Sequence, residues 1–531
     1  MAIDNLYDAG IAAGWKVLDA ATFTASRTLD ADVVIVGSGA GGGISAETLS
    51  RAGLRVVLLE EGALRTSDSF RDMDENRAYR ELYQEAAART TADGAIAILQ
   101  GRAVGGSTTV NWSSSFRTPP QTLAHWAAHH AVSGHAEADM APWFAQVEAR
   151  LGIAPWAMAP NPNNDVLRRG CEKLGWEWHV IPRNVKGCWN SGYCGFGCPV
   201  NAKQSMLVST IPAALAAGAT LVHRVRVRTL EHDGQRVQAV IGEALGADGH
   251  TPTGVGVTVR ARHVVAAGGA INTPALLLRS RVPDPHGRLG VRTFIHPVNI
   301  SVAVMPEQID PYYGAPQSVA SDHFQWANGA TGPMGYKLEV PPLFPGISAG
   351  VLNGVGDALR RDIAQLPNTN AMLALLRDGF VPQSEGGRVR LAADGSPLLD
   401  YEMSDYAWDG VRRAWLSMAQ AQFAAGAVKV RPAHLDATDY RSWPEARDAI
   451  AKLPLKPFRT ALFTAHLMGG CGMSDDARRG VVDSHGRHHQ LANLSVFDGS
   501  IFPTSIGANP QLSVFALTAQ NADTLARNIT A

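Results

Sequence analysis

Two groups of residues in this chain of 531 have the types and spacing that chemistry needs. One is Cys188-x5-Cys194-x3-Cys198, in the segment KGCWNSGYCGFGCPVNAKQS. Three thiols within eleven residues, separated by glycines, could wrap a soft metal or an iron–sulfur cluster. Zinc would ask for a fourth ligand, and Cys171 and Cys471 are the other two thiols of the chain. The alternative is a glycine-turned loop that packs without metal. The other group is Gly37-Ser38-Gly39-Ala40-Gly41-Gly42, a G-x-G-x-x-G pattern. Its first glycine permits a tight turn, its second lets backbone approach a pyrophosphate, and its third, Gly42, lets helix and strand pack closely. Backbone N–H groups at the start of the following helix, that of Ala40 among them, would hold the phosphates with help from the helix dipole. Glu60 stands eighteen residues after Gly42, where a carboxylate can accept both hydroxyls of a ribose. Together these residues predict an adenine dinucleotide, without separating a flavin from a nicotinamide.

The elements that must carry the glycines are legible on either side of them. Asp32–Val36 (DVVIV) has the β-branched, unbroken apolar character of a buried parallel strand. A helical pattern follows from about Ile44 to Ala52, and Arg55–Leu59 (RVVLL) is a second such strand. This is one βαβ unit of ordinary length. Val237–Arg262 alternates and breaks at Asp248-Gly249, which predicts a hairpin, and His263–Ala267 (HVVAA) reads as another buried strand. From about 300 to 464 the pattern is mixed, with proline-rich loops around 332–346 and helical stretches near 357–376 and 409–426. That span is expected to be a second domain that shapes a substrate pocket.

Bulk composition sets the outer limits. A chain this long exceeds one ordinary hydrophobic core, so two or more domains are expected. A net charge of −1 gives no electrostatic case for nucleic acid or an anionic membrane surface. No apolar run is long enough to span a bilayer, so no transmembrane segment is expected. Residues 1–30 lack a basic stretch followed by an apolar one and read as a partly helical N-terminal extension rather than a secretion signal. Five cysteines argue against a disulfide framework and for a reducing, cytoplasmic setting, although export together with a partner would leave no mark here.

Three further stretches carry a family resemblance. Gly101-Arg102-Ala103-Val104-Gly105-Gly106-Ser107-Thr108-Thr109-Val110-Asn111 resembles the first signature of the glucose–methanol–choline (GMC) oxidoreductases. Gly269-Ala270-Ile271-Asn272-Thr273-Pro274-Ala275-Leu276-Leu277 is similar to the second. The C-terminal stretch from His466-Leu467-Met468-Gly469-Gly470-Cys471, through Phe497-Asp498-Gly499-Ser500, to Gly507-Ala508-Asn509-Pro510 resembles the family's closing segment. Two positions depart from the pattern: Ser115 stands where an aromatic residue or Ala is usual, and Arg281 follows Ser280 where Gly is usual.

The resemblance implies an α/β fold: a Rossmann-type FAD-binding domain with a second α+β substrate-binding domain. The expected division gives 31–118, 199–300 and 465–531 to FAD and 119–198 and 301–464 to substrate. The cofactor is then FAD. Gly105, Gly106 and Asn111 should line the flavin or pyrophosphate, Val227 should offer backbone to the adenine, and Asp498, Gly499 and Pro510 should sit near the ribityl chain and ring. Val110 occupies the place where some members attach FAD through histidine, so dissociable FAD is implied.

The implied reaction is oxidation of an alcohol to an aldehyde or ketone by hydride transfer to flavin N5. It needs a base for the hydroxyl proton and a donor for the developing alkoxide. His466 stands at the family's base position and Asn509 at that of its partner; His296-Pro297 also has a family look but reads better as structural. CGFGCPVNAKQS resembles the long-chain alcohol oxidase branch, which implies a lipophilic or long-chain alcohol. The cysteine spacing is similar to that of flavin sugar dehydrogenase subunits holding an iron–sulfur cluster, which would instead pass electrons from a sugar or polyol to a redox partner protein. Without a cluster, dioxygen or a quinone is the simpler acceptor. A hydroxynitrile-type lyase with structural FAD, a non-catalytic flavin subunit and a nicotinamide dehydrogenase are the remaining alternatives.

Overall fold

The valine run expected as the first buried strand lies near the middle of a largely parallel sheet in the computed structural model, which describes residues 5–352 and 354–530. That strand is Arg27–Val36. Among the described residues the sheet runs Lys16–Asp19, Thr220–His223, Val56–Glu60, Arg27–Val36, Pro252–Ala266, Val237–Leu245, Val225–His232, and Leu494–Val496 also joins Pro252–Ala266. Val33, Val34 and Ile35 are fully buried, and burying each such side chain is worth about 1.5–3 kcal/mol before entropy is charged against it. The expected hairpin is Val237–Leu245 with Pro252–Ala266. Asp248 closes its turn by accepting the N–H groups of His250 and Thr251. The HVVAA run is the inner end of the same long strand, in parallel register with Val33–Val36.

The helix between the first two strands spans Ala40–Arg51 and so begins inside the glycine cluster, earlier than its apolar pattern suggests. Only glycine fits there. A Cβ on Gly42 would stand 1.8 Å from the Gly37 carbonyl oxygen, and one on Gly41 would stand 1.5 Å from that of Phe497. The last helix, Gln511–Thr530, packs along Ala40–Arg51 and so brings the end of the chain back to its start.

A second sheet runs Ile96–Ile98, Leu462–Thr464, Val298–Val304, Thr369–Leu376, Tyr336–Glu339, Val319–Ser321, His179–Val180, with Lys429–Pro432 also on Val298–Val304. Helices Pro162–Leu174 and Asp405–Ala424 pack against it. The second begins at Ser404, whose side chain caps it, and holds the buried Trp415, whose indole N–H donates to Ile300 O. One expectation is corrected here. Of the span 357–376, only Asp357–Ala364 is α-helix, whereas Thr369–Leu376 (TNAMLALL) is a strand with every residue buried. Pro367 interrupts the helix, and pairing on both sides overrides the helical preference of Ala, Leu and Met.

Three strands depart from the expected domain division: Lys16–Asp19 is the edge strand of the first sheet, and Ile96–Ile98 and Val298–Val304 belong to the second. Among the described residues no helix is long and apolar enough to cross a membrane. At the Ser280–Arg281 departure, Arg281 ends the helix Gly269–Ser280 in the left-handed conformation (φ 52°) that makes glycine usual there.

The packing of Gly41 on Phe497 gives a direct test. Gly41→Ala should destabilise the protein by about 1–3 kcal/mol, the usual cost of overpacking, and lower its melting temperature. Gly350→Ala, where an added Cβ meets nothing within 4 Å, should melt like the parent. Equal melting of the two variants would contradict this contact.

Candidate active site

A cavity of about 640 Å³, within the usual size range for ligand sites, is lined by residues of both sheets. On its wall are Gly37, Gly39, Ala40 and Gly41, at the open N-terminus of Ala40–Arg51, whose cap residue Gly39 puts no side chain over the backbone N–H groups. The first family signature faces them. Gly106 is left-handed (φ 55°), and a Cβ on it would come within 2.7 Å of the Gly39 Cα. Two backbones therefore meet with no side chain between them, and the cradle so formed fits a pyrophosphate.

Ser38 stitches that cradle together. Its hydroxyl donates to Glu60 Oε2 (2.6 Å) and accepts the Gly105 N–H (2.9 Å). Glu60 also accepts the N–H groups of Ser38 on Oε2 and Gly62 on Oε1. It lines the cavity with part of its hydrogen-bonding capacity already used by the chain, and burial raises its pKa. Val227 lines the cavity from the strand at the sheet's far edge. Gly106, Asn111, Asp498, Gly499 and Pro510 line it too. Asp498 accepts the Gly269 N–H and the Thr273 hydroxyl on Oδ2 and the Ser500 N–H on Oδ1, so it fastens the second signature to the C-terminal one. Asn111 donates to Gln511 Oε1 (2.7 Å) on the last helix. Gly42 and Gly105 are not on the wall; they act through packing and through the bond to Ser38.

His466 and Asn509 line the same cavity. His466 Nδ1 lies 3.3 Å from Nδ1 of the buried His296, so the histidine read as structural is in contact with the one read as base. One proton serves that contact. With it on His466, the Nε2 lone pair is free to take a hydroxyl proton. With it on His296, which the Gly507 N–H at His296 Nε2 (3.2 Å) favours, His466 offers an N–H instead. Burial pulls His466 down to about 4, and His296 is lowered by burial and by the neighbouring His466, so both rings are neutral near pH 7. Asn509 donates to Glu339 Oε2 (3.1 Å), and Gln317 donates to the same oxygen (2.7 Å). Neither Glu339 nor Gln317 belongs to a motif. The available signal was the odd pair Lys337 and Glu339 in the apolar run YKLEVPPLF.

The three-thiol loop lies off the cavity wall. Cys188 accepts the Asn190 N–H, Cys194 faces Arg183 Nη2 at 3.6 Å, and Cys198 accepts the Lys203 N–H. Among the described residues, no three or more His, Cys, Asp or Glu side chains are arranged to hold a metal ion. In this arrangement each of the three sulfurs meets an N–H donor, as in a glycine-turned loop that packs without metal. The loop's ordering group is Lys203, whose buried ammonium donates to the carbonyls of Thr109 (2.6 Å), Asn111 (3.0 Å) and Cys194 (2.7 Å), tying the loop to the first signature. Burial lowers it to about 8, which leaves it charged at neutral pH.

A Rossmann-type cradle that shares its cavity with residues of the second sheet fits a dinucleotide-dependent oxidoreductase. Family models described as GMC oxidoreductase match residues 79–298 and 382–518. An uncharacterised GMC-type oxidoreductase of Mycobacterium tuberculosis is 33% identical over 497 residues, 93% of this chain and 75% of that protein. The chain belongs to the GMC oxidoreductase family, and it is an FAD-dependent enzyme acting on CH–OH donors. The long-chain-alcohol oxidase FAO4B of Arabidopsis thaliana is 29% identical over 504 residues, 91% of this chain and 65% of that protein. A formate oxidase structure from Aspergillus oryzae shares the fold with a TM-score of 0.70 at 16% identity, covering 95% of this chain and 100% of that one.

Replacing Lys203 by Met should strand three carbonyls. With each buried unpaired group costing about 1–3 kcal/mol and the effects overlapping, a loss of about 2–4 kcal/mol is expected. Thermal melting and the flavin absorbance retained after dialysis would report it. Unchanged values in both would refute the tie.

Proposed function

We propose that the enzyme oxidises a lipophilic primary or secondary alcohol, with His466 as base and Asn509 as partner. What carries this reading is the cavity these two residues share with Val298, Ile300, Leu343, Ile347, Leu375 and Phe463, which give it an apolar wall. An alkyl chain gains about 0.8 kcal/mol per methylene buried against such a wall, whereas a sugar would lose hydroxyl hydration without replacement. Bound FAD supplies the hydride acceptor, held by the cradle of Gly37–Gly41, Gly106 and Val227. His466 takes the hydroxyl proton at Nε2; this requires its own proton to sit on Nδ1 facing His296, and His296 to carry its proton on Nε2 and give up the bond from the Gly507 N–H. An Asn509 N–H supports the negative charge that grows on the carbinol oxygen. The branch resemblance and the long-chain-alcohol oxidase relatives point to the same substrate class. Dioxygen and quinones are the acceptors to compare first.

His466→Ala should retain FAD while slowing anaerobic flavin reduction by about 10²–10⁴-fold. Loss of flavin instead would reassign His466 to the cofactor. Since His466 is neutral above about 4, the reduction rate should rise with pH through that value and then level off on this limb. Across a series of straight-chain alcohols, kcat/KM should climb by about fourfold per methylene until the wall is filled. A flat series, or a preference for polyols, would remove the lipophilic reading.

A further inference from the structure

Asn509 is held by a carboxyl group whose bonding is half complete. Glu339 is fully buried on the strand Tyr336–Glu339 and also lines the cavity. Its Oε2 accepts both Asn509 Nδ2 and Gln317 Nε2. Gln317 is itself oriented by the Ser114 hydroxyl, which donates to its Oε1 (2.6 Å), so the amide nitrogen of Gln317 must face Glu339. The two atoms left over, Glu339 Oε1 and Asn509 Oδ1, are buried and without a partner. If Glu339 is ionised, both are acceptors and neither can help the other.

One proton resolves this. A carboxylic acid and a primary amide pair through two hydrogen bonds, acid O–H to amide oxygen and amide N–H to acid carbonyl oxygen. We propose that Glu339 is a neutral acid in the working enzyme and a positioning residue, clamping the Asn509 amide by such a pair so that its second N–H is the one left for the carbinol oxygen. The inference rests on the reading of Asn509 as the alkoxide's partner.

The surroundings agree. Burial pushes Glu339 up to about 7. The Lys337 ammonium, two residues away on the same strand, opposes this, but it is engaged with Asp322 (2.7 Å) and lies over the Phe116 ring. Asp322, from the turn after Val319–Ser321, favours the neutral acid, and His179 beside it at 3.7 Å is neutral because burial lowers it to about 4. His466, which lines the same cavity, and His296 in contact with it are neutral too. An ionised Glu339 would place a negative charge behind the donor that must receive the alkoxide.

The test uses FAD-loaded enzyme and its best alcohol under anaerobic conditions. Flavin reduction should slow as pH rises through about 7, the value to which burial raises Glu339. Glu339→Gln keeps a two-bond pair without a titrating group. It should remove this alkaline fall and stay within about threefold of the parent on the acid side, whereas Glu339→Ala should lose about 10²-fold, as oxyanion donors do. In infrared spectra the parent should show the carbonyl stretch of a buried protonated carboxyl, absent from Glu339→Gln and bleached by alkali. An alkaline fall that survives in Glu339→Gln, or a parent spectrum without a band that this substitution removes, overturns the proposal. If no alcohol reduces the flavin, the functional reading fails, and the infrared band still decides the protonation of Glu339 by itself.

Discussion

The structure depends on a place where three stretches of backbone meet with no side chain between them. Gly39 and Gly106 face each other, Gly41 lies against the Phe497 carbonyl, and Gly42 against that of Gly37. A pyrophosphate can use the N–H groups of a helix N-terminus only if nothing covers them, and a covering Cβ is what these contacts forbid. Because the neighbours come from residues about 65 and 455 positions further along the chain, the nucleotide site is completed only when distant segments have docked. Ser38 extends the same constraint through hydrogen bonds, holding Glu60 with one oxygen's proton and Gly105 with its lone pair.

This explains which parts could be read from the residues. The βαβ unit was legible because glycine spacing and β-branched strands are local signals, and the family signatures are themselves lists of the residues that make close backbone contacts. Thr369–Leu376 was not, since TNAMLALL has no period that distinguishes a strand paired on both sides from a buried helix. Lys16–Asp19 was not, because a four-residue edge strand is defined by its partner Thr220–His223, two hundred residues away.

The polar groups follow the same division. His466 and Asn509 stand at signature positions. The contacts of His296, Lys203 and Glu339 are made by tertiary structure: His296 gains its meaning from a ring 170 residues later, and Lys203 from carbonyls 92 and 94 residues earlier. The cysteine loop shows the converse. Its spacing is local, but the N–H groups that meet its sulfurs and the Lys203 ammonium on the Cys194 carbonyl are set by how the loop packs.

The apolar wall has a consequence for the groups beside it whatever the substrate. Removing water disfavours whichever form of a group is charged, so it lowers an imidazole and raises a carboxyl. In free solution a glutamate ionises well below the histidine range. Here burial reverses the order, with His466 at about 4 and Glu339 at about 7. Both groups thereby occupy their uncharged forms in the same pH interval. A neutral imidazole can accept a proton, and a neutral acid can hold an amide without setting a negative charge behind it. The wall on which the proposed lipophilic substrate rests therefore also favours the protonation states that the proposed oxidation requires, and a polar substitution in that wall would be expected to disturb both together.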